Sequence, residues 1–221
     1  MFFPNNTVMP EGKGKEAPRF GIPRVAYVLR YHFFRMIWAN LLWVVFSLPL
    51  VTLPAASVGL YAVIEELFRK GYGDVWPVFI REFKTAFFQR TITLAALVCL
   101  PVAGWMLGSA RGELQAYGMC AVLLVAVLMI HGWLIPQWAI LNLKPWQALR
   151  NAALLMVLES GRNLLTLLIQ VGSLGLLLFF WPVSFLPLFV LGPALMDLML
   201  AAVVNPVLER RLIQETEEEK K

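Results

Sequence analysis

Long uninterrupted runs of apolar residues constrain this sequence more than any other feature. Runs of about 18 or more residues with few charges match the hydrocarbon core of a lipid bilayer. Because a bilayer offers the backbone no hydrogen-bond partners, such a run must be a helix or part of a closed barrel. Barrel strands alternate apolar and polar residues, and these runs do not, so we predict an all-α, polytopic transmembrane helical bundle. Four such runs are clear, at 94–110, 116–135, 164–180 and 186–204.

The composition agrees with a membrane protein and divides the chain into three parts. Hydrophobic residues make up 59% of the sequence and charged residues 15%, against about 45–50% and about 25% in soluble domains. The first segment is polar and contains Pro and Gly before any long apolar run, which is not the pattern of a secretory signal. We predict a flexible or interfacial leader at 1–25, a single transmembrane domain at 26–208 and a charged cytoplasmic tail at 209–221.

The first apolar region, at about 36–68, is too long for one upright span at 1.5 Å per residue. Pro49 and Pro54 bracket its middle, Thr52 lies between them, and Ala-Ala-Ser follows. This composition is typical of a turn. We predict a hairpin, either re-entrant or fully spanning, with one helix at about 30–50 and a shorter helix returning at about 55–69.

The distribution of basic residues predicts the topology. With the hairpin counted as two crossings, the protein crosses the membrane about six times with very short outer loops. All of the Lys and Arg residues except Arg111 then lie on one side, together with both termini. The positive-inside rule assigns that side to the cytoplasm. The other predicted crossings are at 91–110, 114–135, 163–181 and 184–207.

Two loops on the cytoplasmic side have the pattern of interfacial helices. In 75–90 the residues Phe79, Phe83 and Phe87 recur at helical spacing, while Arg81 and Lys84 occupy other faces. The stretch 145–158 shows the same pattern more weakly, and its proline suits the start of a helix. Such helices either anchor the chain at the membrane surface or form a docking surface for a cytoplasmic partner.

Polar residues inside the apolar runs are the candidates for function, because ionisable groups are costly in a membrane. Asp197 is either a carboxyl group hydrogen-bonded to a neighbouring helix or a site for a proton, a cation or a polar substrate. His131 is expected to bond a backbone carbonyl freed by Pro136, although a contact with Asp197 is also possible. We interpret Gln170 and Asn40 as interhelical hydrogen-bond residues.

Catalytic and metal-binding patterns are absent from the sequence. It has no phosphate-binding loop, no Gly-x-Ser-x-Gly, no Cys-x-x-Cys and no His-Glu-x-x-His, and only two histidines. We therefore expect no enzyme activity, no cofactor and no metal. The net charge of +5 follows from the topology and does not imply a nucleic-acid partner. Glu65 and Arg69, four residues apart, are interpreted as a local ion pair.

The hairpin region resembles the YesL family of bacterial integral membrane proteins, a domain of unknown function. The resemblance covers roughly residues 30–205 and is specific for 40–90. It departs from the family pattern at Leu53 and Pro54, which follow the hairpin threonine where a glycine is usual. The similarity is carried by 40–43 (Asn-Leu-Leu-Trp), 46–52 (Phe-Ser-Leu-Pro-Leu-Val-Thr), 55–61 (Ala-Ala-Ser-Val-Gly-Leu-Tyr) and 87–90 (Phe-Phe-Gln-Arg).

This resemblance implies a setting rather than a reaction. YesL-like proteins tend to be encoded beside components of sugar-uptake ABC transporters, so the chain is expected in the bacterial cytoplasmic (inner) membrane. The first hypothesis is a non-enzymatic accessory or regulatory subunit that contacts lipids and ABC transporter subunits. The alternative is a small stand-alone or homo-oligomeric transporter or channel, favoured by the prolines within the apolar runs and by Asp197.

Overall fold

The computed structural model describes residues 21–85, 87–111, 114–141, 143–179 and 185–213. Over these ranges the chain is all-helical and contains no β-strand, as predicted. Most of the predicted leader and the tail beyond residue 213 lie outside the described residues. A short 3₁₀ turn at Leu50–Thr52 precedes α2, and a π-helical turn at Glu209–Ile213 follows α8. The helices are α1 Ile22–Ser47, α2 Leu53–Lys70, α3 Val75–Lys84, α4 Phe87–Arg111, α5 Leu114–Leu141, α6 Pro145–Leu158, α7 Ser160–Phe179 and α8 Phe185–Leu208.

In the part of the chain that the structure describes, three helices are long and apolar enough to cross a membrane. Within the described ranges these candidate spans are Phe87–Met106 in α4, Tyr117–Leu141 in α5 and Leu191–Arg211, which ends in the turn after α8. A fourth candidate is the pair of α6 and α7, which bends by 108° at its break. The helix α2 carries four charged residues near its end and is more polar than these spans.

The first two helices form an antiparallel hairpin around the two prolines. The indole Nε1 of Trp43 on α1 donates to Ser57 Oγ on α2 at 3.1 Å. The hydroxyl of Thr52 donates to the carbonyl groups of Phe46 and, at 2.6 Å, Pro49. The carbonyl of Phe46 lies in the last turn of α1 and that of Pro49 lies just after the helix, so neither has a partner inside it. Pro54 lies in the first turn of α2, where a missing N–H costs little.

The helix α1 begins earlier than the sequence predicts. It starts at Ile22 rather than near residue 30, with a proline in its first turn. At His32 the backbone leaves helical geometry (φ −123°, ψ 17°), so α1 is kinked there. The predicted start near residue 30 therefore corresponds to the kink, and the helical segment before it was not predicted.

The helix α2 lies at the centre of the molecule and is buried along most of its length. It packs against α1, α3, α5 and α8. The helix α3 doubles back along it, since Gly73 lies against Glu66 and Phe79 lies against Gly59. A Cβ atom on Gly59 would stand 3.1 Å from the carbonyl oxygen of Phe79. A glycine at this position therefore permits the close approach of α2 and α3.

The segment 75–90 was predicted as one interfacial helix and is two helices. The backbone becomes extended at Thr85 (φ −67°, ψ 118°), and α4 begins at Phe87. The ring of Phe46 on α1 lies 5.5 Å from the ring of Phe79 and 4.9 Å from that of Phe83. Phe83 in turn contacts Phe87 at 5.4 Å. The phenylalanine repeat therefore follows packing against α1 rather than one continuous surface helix.

The later helices also pair in opposite directions. Cys120 Sγ on α5 contacts the carbonyl oxygen of Pro101 on α4 at 2.8 Å. The indole of Trp133 on α5 donates to Asn163 near the start of α7. Arg210, just after α8, reaches Glu159 just before α7 at 3.3 Å. Each of these contacts joins an early part of one helix to a late part of its partner, or two middle parts, as antiparallel packing requires.

Candidate functional site

A buried polar cluster joins α2 to α8. The hydroxyl of Tyr61 donates to Asn205 Oδ1 at 2.9 Å, and the amide Nδ2 of Asn205 donates to Glu65 Oε2. The Nε atom of Arg69 lies 3.5 Å from Glu65 Oε1 and 3.5 Å from Glu209 Oε1. Tyr61, Glu65 and Asn205 are buried. We refer to these five residues as the α2–α8 cluster.

Helical spacing places these five side chains opposite one another. Tyr61, Glu65 and Arg69 are four residues apart on α2, and Asn205 and Glu209 are four residues apart at the end of α8. Residues at this spacing share one face of a helix. A buried polar group without a hydrogen bond costs about 1–3 kcal/mol, so sliding α2 along α8 by one turn is unfavourable. The cluster therefore fixes the register of the two helices.

A polar cavity of about 420 Å³ adjoins the cluster between α2, α3 and α5. This volume lies within the usual range of small-molecule sites. Glu65 belongs to both the cavity wall and the α2–α8 cluster. The ion pairs Glu66–Lys70 and Arg81–Glu82 lie at or beside the cavity. Its lining residues are Ala62, Glu65, Glu66, Arg69, Lys70, Val78, Arg81, Ala139 and Ile140.

The chemistry of this cavity suits a small polar molecule. Its charged side chains include both acceptors (carboxylates) and donors (guanidinium and ammonium groups). Within the described residues no group of three or more His, Cys, Asp or Glu side chains has the arrangement of a metal site. The donors and acceptors that line the cavity favour recognition by hydrogen bonds and ion pairs.

Two buried arginines stabilise helix ends around the site. Arg24 donates from Nε to the carbonyl of Phe68 and from Nη2 to that of Arg69 at 3.3 Å, both at the end of α2. Arg90 donates to the carbonyls of Glu82 at 3.0 Å and Trp138 at 3.2 Å, near the ends of α3 and α5. The last carbonyls of a helix lack intrahelical partners and carry partial negative charge. Both arginines therefore act as structural caps.

Asp197 is buried on α8 and lies near the α2–α8 cluster. It precedes Asn205 by eight residues and so shares its helix face. Its carboxyl group lies in the vicinity of the Tyr61 hydroxyl group. Within the described residues no hydrogen bond or ion pair joins the Asp197 side chain to another group. The hydrogen bond to a neighbouring helix, one of the two alternatives for this residue, is therefore not found in the described part of the chain.

His131 lies on α5 beside Gln170 of α7. Its Nδ1 atom is buried and has no hydrogen-bond partner among the described atoms. The expected bond to a carbonyl freed by Pro136 is not found in this part of the chain, and no hydrogen bond joins His131 to Asp197. The structure therefore does not bring the two ionisable candidates together as a bonded pair.

Asn40 and Gln170 each link two helices. The oxygen Oδ1 of Asn40 on α1 accepts a hydrogen bond at 3.1 Å from the backbone N–H of Ala194 on α8. That N–H directly follows Pro193, where the proline ring disturbs the helical bonding pattern. Gln170 on α7 donates to the carbonyl of Leu128 on α5 at 3.1 Å. Both side chains have a structural role in this arrangement.

The predicted docking residues divide into buried and exposed members. Phe79 is fully buried and Phe83 is partly buried, both in contact with Phe46, and Phe87 is partly buried against Phe83. Phe79 is therefore not available to a partner, whereas docking through the half-buried Phe83 and Phe87 stays a prediction. Arg81 and Lys84 remain exposed and are accessible to a partner.

Sequence reasoning missed Tyr61 and Asn205 and took Glu65 only as part of a local pair. The pair with Arg69 is present, but its burial and its bond to α8 were not predicted. Two signals pointed to them. Tyr61 and Glu65 lie on one face of α2, and Asn205 is an isolated amide in an apolar helix, directly before Pro206.

Comparison with known proteins gives one match. The model of a family described as "Protein of unknown function, DUF624" matches residues 36–107, about a third of the chain. No curated protein and no solved structure matches. The matched region contains the later part of α1, all of α2 and α3 and most of α4, and so includes Tyr61 and Glu65 but not Asn205. The chain is thus similar over this region to a family whose description assigns no activity.

Proposed function

We propose that the chain is a bacterial cytoplasmic-membrane protein that crosses the membrane six times with both termini in the cytoplasm. The antiparallel pairing of α1 with α2, α4 with α5, and α7 with α8 supports this topology. Arg24 near the start of α1 meets the end of α2, and Glu159 before α7 meets Arg210 after α8. These contacts group helix starts and ends on one side, and the positive-inside rule makes that side cytoplasmic.

Cysteine labelling tests this topology. In a chain with Cys99→Ala and Cys120→Ala, single cysteines at Val51→Cys and Ser109→Cys lie in the proposed outer connections. Lys144→Cys lies in a proposed cytoplasmic connection and serves as the comparison. A membrane-impermeant maleimide applied to spheroplasts should label the first two, and the third only after lysis. Labelling of Val51→Cys only after lysis would contradict two full crossings by the hairpin.

We further propose that the chain is a non-enzymatic accessory or regulatory subunit of a membrane transport complex. The supporting observation is the low burial of the α4–α5 hairpin. Only 19% of the span window in α4 and 28% of that in α5 are buried inside the chain, against 50% in α8. These apolar faces are free to contact lipid or the helices of a partner. The resemblance described above suggests a sugar-type ABC transporter as that partner.

Affinity purification in a mild detergent, followed by mass spectrometry, tests the subunit proposal. The variant Val122→Trp with Val125→Trp places two bulky side chains on the exposed face of α5, where they should block a partner helix. The matched control places the same bulk on the exposed face of α7, as Leu164→Trp and Leu168→Trp. We expect transporter subunits to co-purify with the wild type and the control but not with the α5 variant. A wild-type protein that brings down no transport component would contradict the proposal.

The alternative is a stand-alone or oligomeric transporter or channel for a small solute. The cavity beside the α2–α8 cluster favours it, because Glu65 lines the cavity and Asp197 lies near the same cluster. Flux in reconstituted vesicles tests it with Glu65→Gln and Asp197→Asn. The control is Asp74→Asn, at an exposed carboxylate that does not line the cavity. Flux that neither of the first two variants reduces relative to that control would remove the support for this alternative.

A further inference from the structure

Three arginines surround one carboxylate where α6, α7 and the end of α8 meet. Glu159 Oε2 lies 3.0 Å from Arg162 Nη1, and Glu159 Oε1 lies 3.3 Å from Arg210 Nη2 and 3.5 Å from Arg211 Nη2. The Glu159 side chain is only 11% exposed, whereas the arginine side chains are 36–57% exposed. We refer to these four residues as the Glu159 cluster.

This cluster carries an excess of positive charge. Three guanidinium groups and one carboxylate leave a net charge of about +2. Each guanidinium has five N–H donors, and each uses a single terminal nitrogen in its ion pair with Glu159. The Nε atom of Arg211 is buried and has no hydrogen-bond partner among the described atoms. The cluster therefore retains both charge and donors for an anion.

The position of the cluster identifies the kind of anion. The last candidate span is Leu191–Arg211, so Arg210 and Arg211 stand at its end. Arg162 stands in the first turn of α7, beside the 108° bend between α6 and α7. Lipid phosphates lie at the ends of membrane spans, and basic clusters there attract anionic lipids. Guanidinium groups also match phosphate oxygens in a two-pronged geometry.

The cations around the polar cavity are a weaker candidate for the same ligand. Lys70 pairs with Glu66, Arg81 with Glu82, and Arg69 with both Glu65 and Glu209. Each cation around the cavity therefore has at least one carboxylate of its own. At the Glu159 cluster, by contrast, a single carboxylate pairs with three arginines.

We propose that the Glu159 cluster binds the phosphodiester headgroup of an anionic phospholipid. Glu159 holds the three guanidinium groups together, and their remaining donors bind the phosphate oxygens. The proposal rests on the membrane crossing of α8 and is independent of the accessory-subunit role. It assigns the basic end of α8 a lipid ligand in addition to the proposed protein partner.

Lipid titration in neutral detergent micelles tests the proposal. The apparent Kd, as a mole fraction, is measured by thermophoresis for phosphatidylglycerol and for phosphatidylcholine. A basic residue near an anionic surface contributes about fivefold in affinity. We therefore expect Arg210→Gln with Arg211→Gln to weaken phosphatidylglycerol binding by about tenfold or more. Binding of phosphatidylcholine should not change.

The matched control is Lys84→Gln with Arg150→Gln, which removes the same charge from two exposed residues on separate helices. It should retain at least a third of the wild-type phosphatidylglycerol affinity. Equal weakening in both double variants would mean that overall charge alone attracts the lipid and would overturn the proposal. Equal affinity of the wild type for the two lipids would also overturn it.

The variant Glu159→Gln separates a lipid site from a purely structural ion-pair cluster. It keeps an amide oxygen that can accept from the guanidinium groups but removes the negative charge that repels a phosphate. Phosphatidylglycerol should therefore bind several-fold more tightly even if the unfolding temperature falls. A fall in stability with unchanged lipid selectivity would contradict the proposal. Glycerol 3-phosphate added as a soluble competitor should have little effect. Competition at concentrations matching the lipid would assign the site to a soluble phosphate ester and overturn the lipid assignment.

Discussion

At the residue scale, Asn205 has two roles that no other side chain in the α2–α8 cluster combines. It accepts a hydrogen bond from Tyr61 and donates one to Glu65. Because an amide both donates and accepts, it satisfies a phenol and a carboxylate at once. Glu65 in turn forms an ion pair with Arg69. Removing the amide leaves the Tyr61 hydroxyl without its acceptor and Glu65 Oε2 without its donor.

We expect Asn205→Ala to lower the free energy of unfolding in detergent by about 1–3 kcal/mol, the usual cost of unpaired buried polar groups. The measurement is unfolding followed by circular dichroism. The matched control is Asn151→Ala on α6, where the partly buried side chain makes no hydrogen bond within the described residues. Equal losses in the two variants would show that the cluster adds no stability of its own.

Thr52 offers a second test at this scale. Its hydroxyl donates to two carbonyls at the hairpin turn, and a net hydrogen bond is worth about 0.5–1.5 kcal/mol. Thr52→Val keeps the shape and loses the hydroxyl, so we expect a loss of about 1 kcal/mol. Thr52→Ser retains the hydroxyl and should remain within about half of that loss. The unfolding midpoints of the three proteins in one detergent give the comparison.

The sequence indicates which single residues are polar in apolar surroundings, but not their partners. An amide within an apolar helix predicts an interhelical bond, and Asn40 and Gln170 have that geometry. The partner of Asn40 is 154 positions away along the chain. Helical periodicity relates only residues of the same helix, and so it could not identify Ala194 or join Tyr61 to Asn205.

At the scale of elements, local signals predicted the helices better than the breaks between them. The prolines marked the turn between α1 and α2, and Pro145 marked the start of α6. The break at Thr85 was missed because the phenylalanine repeat continues across it. That repeat reflects packing against Phe46 of α1, which is a tertiary contact that a periodicity within one segment does not contain.

The contact between α2 and α3 gives a prediction for these elements. A Cβ atom on Gly59 would press on the backbone of Phe79, so we expect Gly59→Leu to destabilise the protein by about 1–3 kcal/mol through overpacking. Gly172→Leu on α7 is the matched control, because a Cβ atom there meets nothing within 4 Å. Limited proteolysis between α2 and α3 should increase only in the Gly59 variant. Equal cleavage of both variants would contradict the packing.

At the scale of the whole molecule, the all-helical class followed directly from the apolar runs. The central position of α2 could not be predicted in this way, because a helix with four charged residues is expected at the surface of a bundle. Its charges are accommodated by partners on its own helix and on α8. A hydropathy pattern depends only on the residues within each helix. It contains no information on which helix lies at the centre of the bundle.

The native Cys99 can report whether lipid surrounds the protein, so no cysteine has to be introduced. It is exposed on α4, within the candidate span Phe87–Met106. In intact membranes we expect a charged, water-soluble maleimide to leave Cys99 unlabelled, because lipid covers it. Labelling should become complete after unfolding in dodecyl sulfate. Rapid labelling in intact membranes would contradict membrane burial of α4. The positive control is Lys84→Cys in a chain with Cys99→Ala and Cys120→Ala, which should label readily in open membranes.

The α2–α8 cluster also has a consequence for how the chain is made. Tyr61 and Glu65 leave the ribosome about 140 residues before Asn205, which is about 7–30 seconds at bacterial and eukaryotic synthesis rates of 5–20 residues per second. Throughout that interval the first hairpin carries a carboxylate and a phenol whose final partner does not yet exist. We expect nascent chains that stop before α8 to be held by insertion factors or degraded, so that the protein escapes quality control only after its last helix has been inserted.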